Sequence, residues 1–408
     1  MAKFDLVIFG ATSFVGQILC RYMLEQYHDH QEVKWAIAGR SQAKLEELVQ
    51  SLGPLAHKLP ILVADAADEA SLKTLCNSCK VVVSTVGPYA LYGEALVKTC
   101  ASQGTDYCDL SGEVQWIAKM IRRYQGIALI SGARIVHSCG FDSIPSDMGV
   151  YFLQQQAKAK LGKTCNKVKM RVKKMRGAAS GGTVASLLNV VKEASKDAEL
   201  RKLLVDPYTL CSQDHGFTAR QDNVTFARYE QDFHSWIAPF VMATINTRIV
   251  HRSNALLDKQ YGEQFHYDEA MLTGDHLGGG LGAGALASGL AAFMLAAMVP
   301  PTRWALETFI LPKPGQGPSI EQQLNGCFDL RFKGSTEDGQ SIDCKVYGDQ
   351  DPGYGSTAKM LGQAAVCLAR DISKKDKAGG FWTPSSIFGQ ALIDRLQLHS
   401  GLTFELME

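Results

Sequence analysis

The sequence predicts an α/β protein: an N-terminal doubly wound parallel sheet over residues 1–148, a second α+β domain over 149–352, and C-terminal helices over 353–408 packed back on the first domain. Three observations carry this reading. Short apolar runs alternate with helical patterns through the first third of the chain. The first of these runs ends in a turn cornered by Gly10 and Gly16. Beyond about residue 165, the rhythm changes to runs in which polar and apolar residues alternate.

In order, Phe4, Leu6, Val7, Ile8 and Phe9 form an apolar run suited to a strand buried on both faces. Gly10 and Gly16 then lead into a helix with Val15, Ile18, Leu19, Tyr22 and Met23 on one side. Residues 33–41 predict a second strand ending in Gly39-Arg40-Ser41, 42–51 a helix, and 60–65 a third strand ending in Asp65. Residues 80–89 (KVVVSTVGPY) predict the fourth strand and its exit, followed by a helix that stops at Gly104. Further strands are expected near 105–109 and 134–139. In the second half, 166–175 reads as a half-solvated strand, 182–196 as a helix and 265–272 as a strand. Residues 325–334 and 341–349 flank Asp338-Gly339, a hairpin signal.

Composition narrows the function. Hydrophobic residues make up 46% and charged residues 20%, the profile of a globular chain, and a net charge of +1 without a basic block argues against nucleic acid as a partner. The N-terminus lacks the zones of a signal peptide, and 11 cysteines fit reduced thiols, so a cytoplasmic protein is expected. Cys76 and Cys79 have CxxC spacing without a second pair or a histidine cluster, so no metal is expected there.

The turns carry the chemistry. Gly10-x-x-Ser13-x-x-Gly16 has the spacing of a phosphate-binding turn with serine in the central position. Ser13 keeps a backbone N–H, and its hydroxyl can donate to a phosphate oxygen. Cofactor contacts are thus expected at Gly10, Ala11, Thr12, Ser13, Phe14 and Gly16. At the end of the second strand an NAD site has a carboxylate; here stand Gly39, Arg40 and Ser41, and the arginine favours a 2′-phosphate, hence NADP(H). Asp65 is either an adenine contact or an N-cap. Val86, Gly87 and Pro88 would let the cofactor approach the backbone, with Tyr89 and Tyr92 beside it as proton donors or as an aromatic wall. Cys139 is expected as scaffold at the cofactor edge rather than as a nucleophile.

Several motifs together resemble one family. GATSFVG (10–16), AGRS (38–41), VGPYALYGE (86–94), YCDLSGE (107–113), HSCGFDSIPSD (137–147), DPGYGSTAKM (351–360) and KAGGFWTPSSIFG (377–389) are similar to the saccharopine dehydrogenase-like oxidoreductases, including the trans-acting enoyl reductases of lipid synthesis. The resemblance implies a Rossmann domain, a second α/β domain, a nicotinamide cofactor, a phosphate turn at Gly10 to Gly16 and a ribose-phosphate corner at Gly39-Arg40-Ser41. An NADP-dependent reduction of an enoyl or keto group in an apolar small molecule is expected. Two alternatives stay open: a saccharopine-type amino-acid dehydrogenase, and a membrane-associated nucleotide-binding scaffold.

One stretch stands outside this scheme. Residues 278–299 hold no Asp, Glu, Lys or Arg and are rich in glycine and alanine. They predict a helix that lines an apolar cavity or a homodimer contact, with peripheral lipid contact or a membrane span as the other readings.

Overall fold

The computed structural model describes residues 2–28, 32–177, 181–311 and 317–408. They form two compact units: residues up to 144 with Gly317 and 353–401, and the remaining described residues of 145–352 with 402–408.

The first unit is built on β1 (Phe4–Phe9), β2 (Trp35–Gly39), β3 (Ile61–Val63), β4 (Cys79–Ser84), β5 (Asp106–Asp109) and β6 (Arg134–Val136). These strands are parallel, in the order β3-β2-β1-β4-β5-β6. Every residue of β1 and β2 is buried, which explains the apolar runs. The chain winds one way from β1 to β3 and the other way from β4 to β6, leaving a switch point between β1 and β4. Phe9 lies opposite Ala38 and Ser84, and Ser84 opposite Asp109. Gly10, Gly39, Thr85 and Leu110 therefore leave the sheet along one edge. The helices between are closed by their end residues. Ser41 and Asp68 accept backbone N–H bonds at two N-termini, and left-handed Gly104 and Gly132 end two others.

The second unit holds a mixed sheet. β7 (Lys167–Arg176) pairs parallel with β10 (His266–Gly274), while β8 (Arg228–Glu230) and β9 (Ser235–Pro239) extend that side antiparallel. On the other side β11 (Cys327–Ser335) and β12 (Ser341–Gly348) form the expected hairpin, with Gly339 at φ 84°. The alternating pattern of β7 conceals a buried charge. Arg171 is wholly enclosed, its Nη2 2.5 Å from Glu230 Oε2 and 2.6 Å from Asp268 Oδ1. Nearby, Glu269 accepts from the Tyr267 hydroxyl at 2.6 Å and from Asn246 Nδ2 at 2.9 Å, and burial pushes its carboxyl up to about 7.

The last segment divides between the units. Helix Gly355–Arg370 packs on β1, β4 and β5, and β13 (Gly380–Trp382) extends the first sheet beyond β6. β14 (Leu402–Met407) instead pairs with β12. Residues 353–401, with both C-terminal helices, belong to the first unit, and the final strand, which the sequence reading did not foresee, joins the second sheet.

Helix Leu277–Met298 lies against β9 and β10. Two of its glycines pack on the strands: a Cβ at Gly279 would stand 2.5 Å from the Gly274 carbonyl, and one at Gly280 3.0 Å from the Trp236 ring, while Gly282, Gly284 and Gly289 face open space. Ala297, Phe293 and Met294 pack on Leu188 and Val191. Leu277, Leu281, Leu286, Leu295 and Met298 are left exposed.

Candidate cofactor site

The edge of the first sheet at the switch point gathers the residues singled out by sequence. Gly10 sits at φ 89°, and a Cβ there would meet Val86 Cγ2 at 2.7 Å and Thr85 Oγ1 at 2.8 Å. A Cβ at Gly16 would stand 2.3 Å from the Gly10 carbonyl oxygen. Gly10 is required by its left-handed φ and Gly16 by close backbone approach, and together they shape a turn at the start of helix Phe14–Tyr27. The first N–H groups of a helix have no intrahelical partner, so this start offers donors to a diphosphate.

Ser13 has φ −68° and ψ 160°, an ordinary extended backbone that any residue adopts. That is why the turn does without its central glycine. The Ser13 hydroxyl caps the helix, accepting from Gly16 N at 3.0 Å, and lies 2.9 Å from Thr85 Oγ1. Thr85 Oγ1 in turn donates to the Gly10 carbonyl at 2.9 Å. The Ser13 and Thr85 hydroxyls together tie the turn after β1 to the end of β4. Ala11 is buried and bonded to the Ala38 carbonyl, while the Thr12 carbonyl accepts from Gln17. Phe14 packs edge-on against Tyr354 with ring centres 4.8 Å apart.

At the second corner Gly39 is buried, Arg40 is exposed and Ser41 caps the following helix. Arg40 is free to swing onto an added phosphate. The Asp65 carboxylate accepts from Ala67 N at 2.9 Å and shapes a turn, while Asp68 is the N-cap of helix Glu69–Ser78. The N-cap reading of Asp65 is thereby corrected.

Beyond β4, a cis Gly87–Pro88 bond leads into the turn that carries Tyr89. Glu113, which the sequence reading left without a role, holds this turn. Its two carboxylate oxygens accept from Tyr89 N at 2.7 Å and Ala90 N at 3.0 Å. The buried Tyr89 hydroxyl donates to the Ser84 carbonyl at 2.9 Å and accepts from Leu110 N at 3.2 Å. Burial, with Asp109 nearby, holds its pKa well above the ordinary tyrosine value. Tyr89 is thus a strut between the two loops rather than a ready proton donor, and Tyr92 points to solvent.

A second brace was also missed. The buried Asp109 carboxylate accepts from Ser111 N at 3.0 Å and Ser138 N at 3.2 Å, and meets His137 Nδ1 at 2.7 Å. Cys139 N donates to the Asp109 carbonyl at 2.7 Å, while its thiol is buried against the Val136 carbonyl and burial pushes its pKa up. Cys139 therefore acts as scaffold and does not present its sulfur to a ligand. Asp142 follows on the same loop, and burial, aided by Asp109, pushes its carboxyl up to about 7. A cavity of about 460 Å³ opens at the opposite, amino-terminal edge of the sheet, beside Asp106, Arg134 and Lys374. Arg134 is spent there on Asp106 and on the carbonyls of Leu368 and Ile372, so we place no chemistry in it.

Residues 6–136 match the saccharopine dehydrogenase NADP-binding domain family. A trans-acting enoyl reductase of Mycobacterium ulcerans is 36% identical, with 97% of this chain and 96% of that one covered. A Mycobacterium tuberculosis protein assigned provisionally to the same group is 38% identical over 97% of this chain and 95% of its own length. The chain belongs to the saccharopine dehydrogenase-like family, with the trans-acting enoyl reductases among its relatives.

The fold agrees with that membership. Apo saccharopine dehydrogenase (L-Glu forming) from Saccharomyces cerevisiae superposes with a TM-score of 0.56 at 13% identity, covering 99% of both chains. Homospermidine synthase from Legionella pneumophila gives 0.51 at 10%, covering 98% of this chain and 91% of that one. These distant likenesses concern the fold alone. As a saccharopine dehydrogenase-like protein with the family's NADP-binding domain, the chain is an NADP(H)-dependent oxidoreductase.

Proposed function

We propose that the chain reduces the carbon–carbon double bond of an enoyl group in an apolar small molecule. The observation that carries this is the nearly end-to-end likeness to trans-acting enoyl reductases. The residues fit the cofactor: the cradle between Gly10 and Gly16 is space that side chains would fill, and Arg40 stands exposed where a 2′-phosphate needs a cation. When bound, NADPH supplies a hydride to one carbon of the double bond.

The other carbon takes a proton, and we assign its source to the half-buried Asp142 carboxyl, on the loop that leaves β6 at the same sheet edge and near enough to Tyr89 to raise its pKa. With its pKa pushed up to about 7, that group holds a proton near neutral pH and can release it. Glu113, Tyr89 and Asp109 position the surrounding loops. The 11 cysteines are free thiols, which suits a reducing, cytoplasmic setting.

Purified protein with NADPH and a panel of enoyl, ketoacyl and amino-acid substrates tests the reading. Sustained NADPH oxidation is expected with the enoyl compounds. Turnover only with saccharopine-type amino acids, or cofactor binding without turnover on any substrate, would refute it.

A further inference from the structure

We infer that helix Leu277–Met298 and the segment after it dock on a phospholipid surface, lying in its plane. The argument begins with the helix faces. A helix resting on a globular unit normally turns a polar face to water. Here the outward stripe carries Leu277, Leu281 and Leu295, 81%, 69% and 65% exposed, and continues to Val299. Residues 277–302 contain no Asp, Glu, Lys or Arg; the nearest charged side chains are Asp275 before them and Arg303 after them. Both sides of the helix are apolar, yet only one is covered.

The chemistry of the stripe selects the partner. A protein interface needs a rim of hydrogen-bonding groups around its apolar centre. A lipid surface needs none, and this stripe offers almost none. Past Pro300 and Pro301, Trp304 and Phe309 stand 61% and 73% exposed and pack edge-to-face at 5.7 Å. Large aromatic side chains at the end of an uncharged apolar stretch suit the boundary between acyl chains and headgroups. The inner face is held by β9, β10 and helix Gly181–Ala194. That attachment favours an in-plane position over a span, even though 22 residues reach about 33 Å. This inference rests on exposure and composition, not on the proposed reduction, so either can fail alone.

The test is flotation of the full chain with phosphatidylcholine vesicles, beside the double variant Leu281→Glu/Leu295→Glu. Wild-type protein should float, and the variant should partition at least about tenfold less while binding NADPH and eluting at an unchanged size. Wild-type protein that stays unbound would overturn the inference. So would a change from dimer to monomer in the variant, which would assign the stripe to a second copy. Should the variant misfold, vesicles with brominated acyl chains decide with intact protein. They should quench Trp304 fluorescence, and Trp304→Phe should remove that quenching; emission unaffected by the brominated lipid would again overturn the inference.

Discussion

Two strand-to-helix turns in this protein share one backbone device and lead to different ends. After β1, Gly10 takes φ 89° and Gly16 packs on its carbonyl, with a Cβ only 2.3 Å away were one present. After β10, Gly274 takes φ 109° and Gly279 packs on its carbonyl, with the corresponding distance 2.5 Å. The first turn lies at the switch point of a parallel sheet, with Arg40 on the neighbouring loop. The second lies on a mixed sheet and opens a helix with no polar face. A glycine pair thus reports close backbone approach. Whether a ligand is bound depends on what the sheet and its neighbouring loops place around the turn.

The largest expected effect comes from filling the two turns. Gly16→Ala drives a methyl into a backbone oxygen that cannot step aside, costing about 3 kcal/mol or more. Gly279→Ala should cost a similar amount, read as a fall in Tm. Only the Gly16 variant should also lose NADPH affinity by calorimetry. Equal loss of cofactor binding in both would break the distinction between the turns.

A smaller difference should separate two carboxyls, half-buried Asp142 in the first unit and buried Glu269 in the second, both pushed up to about 7. Asp142→Asn should cut turnover about a hundredfold with NADPH affinity unchanged. As an acid, Asp142 is competent below its pKa, so wild-type rate should fall as pH rises through about 7. Glu269 is bonded on both oxygens and should govern stability instead. The folded chain keeps the Glu269 proton after the unfolded chain has lost it, so stability should decline between the usual value of 4.5 and about 7. Glu269→Gln should flatten that decline in pH-dependent denaturant titrations and leave the rate profile alone. A rate profile changed by Glu269→Gln and untouched by Asp142→Asn would reverse the assignment.

The smallest effect belongs to Ser13. Its hydroxyl is a helix cap, so Ser13→Ala should lower stability by about 1 kcal/mol, and Ser13→Gly by only a few tenths. A large loss of NADPH affinity in Ser13→Ala without loss of stability would instead assign the hydroxyl to the phosphate.

The same contrast explains what could be read from the sequence. Parallel strands buried on both faces leave unbroken apolar runs, and capped helices leave punctuation, so the first sheet and its glycine corners were legible. The Asp338-Gly339 hairpin was legible for the same local reason. Glu113, Asp109 and Arg171 were not, because their partners lie 24 to 59 residues away and local periodicity carries no trace of such pairs. The long apolar helix misled in another way. Its composition is that of a buried element, and only the structure shows that Gly279 and Gly280 meet the sheet while Leu277, Leu281 and Leu295 face out.

The most direct test of the account is calorimetric titration of NADPH and NADH into wild-type protein and Arg40→Ala. Wild-type protein should prefer NADPH. The variant should lose roughly 1.5–3 kcal/mol of NADPH binding, the range of a charge-assisted contact, with NADH barely affected. Equal losses for the two cofactors, or none for either, would contradict the placement of the 2′-phosphate at Gly39-Arg40-Ser41.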